Sequence, residues 1–197
     1  KMFGLKEDED VFLIGMPARL TEQKGFDLLE KIIEKILRYL PLQLIFLGDG
    51  ETRYKEMLKK VKEKFPEKIG FLFEFEKKLP HLIYAGCDAI LIPSKFEPCG
   101  IVQMEAMRYG AIPIARKTGG LADTIKNFDP KKEEGTGFLF KPYEPYALFA
   151  TICRAQTVFQ IKKIWKKIVK LAMAQDFSWE NSAKEYLSLF LKLVRKS

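Results

Sequence analysis

Six short apolar runs punctuate the chain: residues 11–15 (VFLIG), 42–48 (LQLIFLG), 69–75 (IGFLFEF), 89–93 (AILIP), 111–115 (AIPIA) and 137–140 (GFLF). Their near-continuous hydrophobicity predicts strands buried on both faces. Between them the period becomes helical. Phe26, Leu29, Ile32, Ile33, Ile36, Leu37 and Leu40 share one stripe, Glu30, Lys31, Glu34, Lys35 and Arg38 face water, and Pro41 stops the run. Tyr54, Leu58, Val61 and Phe65 outline a second amphipathic helix closed by Pro66. Strands joined by helices imply right-handed crossovers, so the expectation is an α/β fold: a single Rossmann-like domain whose mostly parallel sheet is covered by helices on both faces. After Tyr146 the pattern is helical throughout, with helices expected over 147–159, 161–174 and 180–194 and Ser178 as N-cap of the last. Lys162, Lys163, Lys166, Lys167 and Lys170 share a helix with Ile161, Ile164, Trp165, Ile168 and Leu171, so they read as its wet face.

Composition narrows the class. At 197 residues, 47% hydrophobic and 30% charged, the chain is long enough to bury a full core, and it is neither disordered nor fibrous. Cys87, Cys99 and Cys153 are odd in number, far apart and free of any CxxC pair, which argues against a disulfide scaffold or a zinc site and for a reducing compartment. The 34 Lys and Arg against 26 Asp and Glu leave a net charge of +8, favouring an anionic partner: nucleic acid, a membrane surface or a phosphorylated small molecule. No apolar run approaches the ~20 residues needed to span a bilayer, and the start has no signal-peptide layout, so a soluble chain is expected.

In open α/β sheets ligands bind in the loops beyond the carboxyl ends of the strands. The loop after the first run carries Arg19, a planar fork, and Lys24, a point charge, just ahead of a helix start. Such a pair can clamp a diphosphate, though basic loop residues are as commonly only solvated. Gly48-Asp49-Gly50 is a tight turn, but no GxGxxG accompanies it, so a dinucleotide cofactor is not indicated. Residues 93–110 (PSKFEPCGIVQMEAMRYG) break a buried strand into a helix starting near Ile101, whose free first-turn amides suit an anion. Glu97 precedes that turn and Glu105 is expected just beyond the helix's second turn, eight positions on. That is too far apart to share one proton, so the two would grip different parts of one extended ligand. Alone, Glu97 would read as a helix-start carboxylate and Glu105 as a satisfied polar group near the core. With Arg116-Lys117-Thr118-Gly119-Gly120, four loops at one sheet edge supply cations, amides and carboxylates, and this convergence marks a site.

RLTEQKGFDLL, FLGDG, YAGCDAILIPSKFEPCGIVQMEAMRYGAIPI, RKTGGLADT and DFSWENSAKEY closely resemble the C-terminal half of bacterial and plant-type glycogen/starch synthases. These are retaining glycosyltransferases of family five with two facing Rossmann-like domains, the GT-B fold. The resemblance implies transfer of glucose from ADP-glucose or UDP-glucose to the non-reducing end of an α-1,4-glucan, with retention of configuration and no cofactor or metal. By position, Arg19 and Lys24 would hold the donor diphosphate and stabilise the leaving nucleotide, and Glu97 would join them in catalysis by hydrogen-bonding the donor glucose. The Cys99 and Gly100 amides would meet the same sugar, Glu105 the ribose, and the amides of Ile101 and Val102 and those near Thr118 and Gly119 the phosphates. Phe75 stands where the family has an aromatic beside the nucleobase. Ile101-Val102 replaces the family's Leu-Thr pair, so a hydroxyl near the phosphates is lost.

The resemblance also divides the chain into a donor-nucleotide-binding domain, 1–175, and a terminal helix, 176–197, expected to pack towards an N-terminal domain outside this sequence. That domain supplies the α-glucan surface and a histidine on the donor sugar; His81, the sole histidine here, reads as structural. Lys1 ahead of Met2 fits a piece of something longer, able to bind nucleotide but not to turn over alone. A cytoplasmic or plastid enzyme without nucleic-acid or membrane partners is expected. The alternatives are a related retaining transferase with another acceptor, sucrose-synthase-like or lipid- or protein-directed, and a non-catalytic basic binding module.

Overall fold

All six apolar runs become strands in a computed structural model, which describes residues 2–74 and 78–194. β1 (Phe12–Pro17), β2 (Leu42–Leu47), β3 (Ile69–Leu72), β4 (Ala89–Ile92), β5 (Ile112–Arg116) and β6 (Phe138–Phe140) form one sheet in the order β3-β2-β1-β4-β5-β6. Every pairing is parallel. The chain winds outward from β1 to β3, then crosses back to β4, so the direction of winding reverses at the β1–β4 seam. A crevice opens beyond the carboxyl ends of strands at such a point. β3 is shorter than the apolar run 69–75 because its last paired partner is Leu47 of β2; beyond it Phe73 and Glu74 leave the sheet, and Phe75 lies outside the described residues.

Alternation within the strands builds two cores. Leu44 and Phe46 pack with α1 (Phe26–Tyr39), α2 (Thr52–Lys64), α6 (Pro145–Gln160) and α7 (Lys162–Met173) on one face. Ile45 and Leu47 pack with α3 (Leu79–Gly86), α4 (Val102–Tyr109) and α5 (Gly119–Thr124) on the other. On the first face Phe12 stacks on Phe159 at 4.7 Å and meets the edge of Trp165 at 5.3 Å, tying α6 and α7 to the central strand. The lysines of α7 stand exposed opposite buried Trp165, Ile168 and Ala172, as a solvated face requires.

The last helix, α8 (Trp179–Val194), is capped as expected, with the Asn181 N–H donating to Ser178 Oγ at 3.3 Å. Yet no residue of α8 is buried, and Tyr186, Leu187, Phe190, Leu191 and Val194 are all exposed. Among the described residues no helix is long and apolar enough to cross a membrane, and the three cysteines are free.

Candidate functional site

The loops after β1, β2, β4 and β5 meet above the seam. Lys24, in the short helical turn before α1, reaches Glu97, 73 residues away, and donates to its Oε2 at 2.6 Å. Both side chains are largely withdrawn from solvent, 22% and 13% exposed. Ser94, fully buried at the end of β4, donates to the same carboxylate oxygen at 3.2 Å. The ammonium and the carboxylate, assigned by sequence to different parts of a ligand, are thus one ion pair held by a buried hydroxyl. At 2.6 Å a charge-assisted bond of this kind is among the stronger polar contacts available to a protein.

The pair forms the wall of a cavity of ≈ 300 Å³, to which Gly100, Ile101, Val102 and Gln103 also contribute. Pro17, Ala18, Ile101 and Val102 are shared with a neighbouring cavity of ≈ 340 Å³ that holds Arg19 and Glu105. One cavity therefore carries Lys24 and Glu97, the other Arg19 with Glu74 and Glu105, and the start of α4 divides them. Glu105 lies in the first turn of α4, not beyond the second, because the helix starts at Val102, only three positions before it. Burial, together with the nearby Glu105 carboxylate, pushes the Tyr84 phenol's pKa well above its ordinary value. His81, read from sequence as structural, is exposed on the wall of the Arg19–Glu105 cavity, edge-on to Tyr84 at 5.9 Å.

The walls are stitched together by contacts that sequence did not reveal. The Lys95 N–H donates to the Gln23 carbonyl at 2.8 Å and its ammonium to Glu22 at 2.6 Å, which holds the Glu22 carboxyl below its usual pKa. Arg116, read as a site cation, instead donates to the Lys95 carbonyl and lies 5.3 Å from the ring of Tyr143, whose hydroxyl donates to Asp27 at 2.5 Å. Asp49 in the Gly48–Gly50 turn is tied to Lys55 and to the Gly50 N–H.

Behind the 97–100 loop, α5 packs with almost no clearance. A Cβ on Gly119 would fall 2.0 Å from the Glu97 carbonyl oxygen, and one on Gly120 would fall 1.9 Å from that of Cys99. The Gly120 N–H donates to the Glu97 carbonyl at 3.2 Å. So Arg19, Lys24, Glu97, Gly100, Ile101, Val102 and Glu105 line the two cavities, while Cys99, Thr118 and Gly119 line neither. Phe75, expected beside the nucleobase, lies outside the described residues.

The family described as glycosyl transferases group 1 matches residues 1–156. The chain is 43% identical to a glycogen synthase of Pseudothermotoga lettingae over 197 residues, covering all of this chain and 40% of that protein. The solved catalytic domain of starch synthase IV from Arabidopsis thaliana, bound to ADP and acarbose, superposes with a TM-score of 0.85 at 33% identity over 97% of this chain and 40% of that one. An Anabaena protein, HepE, solved with UDP and glucose, gives 0.64 at 26% identity over 84% of this chain and 43% of that one. The chain thus spans about 40% of the length of the curated relatives it matches. With that match across residues 1–156 and this parallel sheet, the chain belongs to the glycosyl transferases group 1 family.

Proposed function

We propose that this chain is the donor-binding half of a glycogen/starch-synthase-type hexosyltransferase. The carrying observation is the pair of adjoining cavities, one with Arg19, Glu74 and Glu105 and the other with Lys24 and Glu97, divided by the start of α4. A nucleoside diphosphate sugar has the matching order of groups. Its ribose hydroxyls would bond Glu105 in the first cavity, its diphosphate would lie between Arg19 and Lys24 across the amides of Ile101 and Val102 and near Thr118 and Gly119, and its glucose would reach Glu97 and the amides of Cys99 and Gly100 in the second. When the diphosphate draws the Lys24 ammonium, Glu97 is released to accept from a sugar hydroxyl, with Ser94 holding its other contact. As the glycosidic bond breaks, charge develops on the departing diphosphate, where two fixed cations contribute most. No metal is needed for that charge balance.

Glucose would pass to the non-reducing end of an α-1,4-glucan held by a preceding domain, with retention of configuration, in a cytoplasmic or plastid setting. The exposed Phe190, Leu191 and Val194 of α8 would pack against that domain. Alone, the chain binds nucleotide without turnover.

Calorimetric titration with ADP, UDP and AMP in the presence of a chelator tests the reading. ADP is expected to bind, and an Arg19→Ala, Lys24→Ala variant to lose roughly 100-fold or more, since each charge-assisted bond contributes about 1.5–3 kcal/mol. Equal affinity in the variant, or binding only with a divalent cation, would overturn it. A UDP-sugar donor is the second reading, favoured by the likeness to the Anabaena protein solved with UDP and glucose; preference for UDP over ADP would select it.

A further inference from the structure

Gln103 is fully buried in the first turn of α4, where Leu or Met would fill the same volume without burying an amide. A buried primary amide is costly unless its groups are bonded. Its Nε2 donates to the Gly100 carbonyl at 2.9 Å and to Thr124 Oγ1 at 3.0 Å, with a longer approach to the Cys99 carbonyl at 3.4 Å. Thr124 Oγ1 in turn donates to the Gly120 carbonyl at 2.6 Å. A continuous line of hydrogen bonds thus runs from the 97–100 loop through the side chain of Gln103 to the first turn of α5.

The consequence for the loop follows from peptide geometry. In a trans peptide the C=O and N–H point in opposite directions. Holding the Gly100 carbonyl on the buried amide therefore turns the N–H of Ile101 away from Gln103, and the approach to the Cys99 carbonyl does the same for the N–H of Gly100. Gly100 adopts φ +72° and Ile101 follows in the right-handed region at φ −114°, ψ −23°. A left-handed residue followed by a right-handed one is the backbone pattern that gathers successive N–H groups on one side to receive an anion or hydroxyl. Gln103 Oε1, meanwhile, is buried without a partner among the described residues, so the amide is held for its donors.

We infer that Gln103 is a positioning residue: through Thr124 it locks the Cys99–Ile101 backbone to α5 so that the loop's amides stay aimed at the donor. The inference rests on the donor-binding reading above and adds a residue to it. Thr124 completes the brace, since without its hydroxyl one of the two Nε2 hydrogens loses its acceptor.

The test uses Gln103→Met, which keeps the volume and removes both donors, with Thr124→Val and Thr124→Ser as a second, milder pair. Amide exchange and chemical shifts of Gly100, Ile101 and Gly120 are read in the ligand-free chain, and ADP-glucose and ADP affinities by calorimetry. Expected are shifted resonances and faster exchange in Gln103→Met and Thr124→Val, recovery in Thr124→Ser, and a loss of at least tenfold in ADP-glucose affinity for Gln103→Met. Native exchange in both altered variants overturns the brace. Faster exchange with native ADP-glucose affinity overturns the positioning role and leaves a packing contact. If the unaltered chain binds neither ligand, the donor-binding reading fails and the positioning role with it, while the exchange data still report whether the brace exists.

Discussion

Replacing Gly120 by Ala tests how tightly α5 is seated against the donor loop. The added Cβ would lie 1.9 Å from the Cys99 carbonyl oxygen and 2.6 Å from its carbon, whereas real Cβ contacts under 3.0 Å essentially never occur. The obstacle is backbone, so no rotamer change relieves it, and the loop or the helix has to yield by about 1 Å. Two effects oppose each other. Alanine gains up to ~1 kcal/mol of helix propensity over glycine, while overpacking costs typically ~1–3 kcal/mol. The clash should win, for a net loss of about 1 kcal/mol in urea unfolding. Binding should suffer more, because a ~1 Å misplacement of positioning groups can cost ~100-fold. Gly86→Ala is the internal control: a Cβ there meets nothing within 4 Å, and Gly86 is also helical. It should be neutral to slightly stabilising, with native nucleotide affinity. If Gly120→Ala matched Gly86→Ala in both stability and affinity, the close seating of α5 on the loop would be refuted.

Two further outcomes follow from other parts of the molecule. Phe12→Ala removes a fully buried ring stacked on Phe159 and edge-on to Trp165 and should cost about 3–5 kcal/mol while urea unfolding stays a single transition; two separated transitions would show that α6 and α7 do not share the sheet's core. Asp88 accepts the Leu13 N–H at 2.9 Å, and its pKa is raised from the ordinary 3.8 by burial. In the pH range just above 3.8 the folded chain therefore holds a proton that the unfolded chain has released, so this group's contribution falls as pH rises through that window. The stability difference between the natural chain and Asp88→Asn, read from urea midpoints across the window, should fall with rising pH, and a rising difference would reverse the assignment.

The sheet was legible because burial on both faces writes strands as unbroken apolar runs, and the break at Pro41 or Pro66 is a local event. Where the reading missed, the cause was a partner far away in sequence. Lys24 and Glu97 were both singled out, but nothing local says that they pair. Ser94 and Gln103 look like ordinary residues at a strand end and a helix start; only the folded 94–100 loop puts Ser94 on Glu97, and only the packing of α5 shows what Gln103 holds. Arg116 carries the same charge whether it faces a ligand or the Tyr143 ring, and the sequence does not distinguish the two. Glu105 was misplaced because its eight-residue distance was taken from Glu97, whereas the helix itself starts at Val102, three residues before it.

The sheet order bears on how the site comes into being. β1 pairs on one side with β2, the next strand, but on the other with β4, where Leu13 and Asp88 meet across 75 residues. Closing so long a stretch of chain costs more entropy than zipping neighbouring strands, and contacts of this span slow folding. The β1–β2–β3 half can assemble from adjacent segments, whereas the β1–β4 seam closes only when the two halves of the chain come together. Lys24 and Glu97 belong to opposite sides of that seam. The ion pair at the centre of the site is therefore also a late kinetic marker, and its appearance in a refolding experiment would time the joining of the two halves.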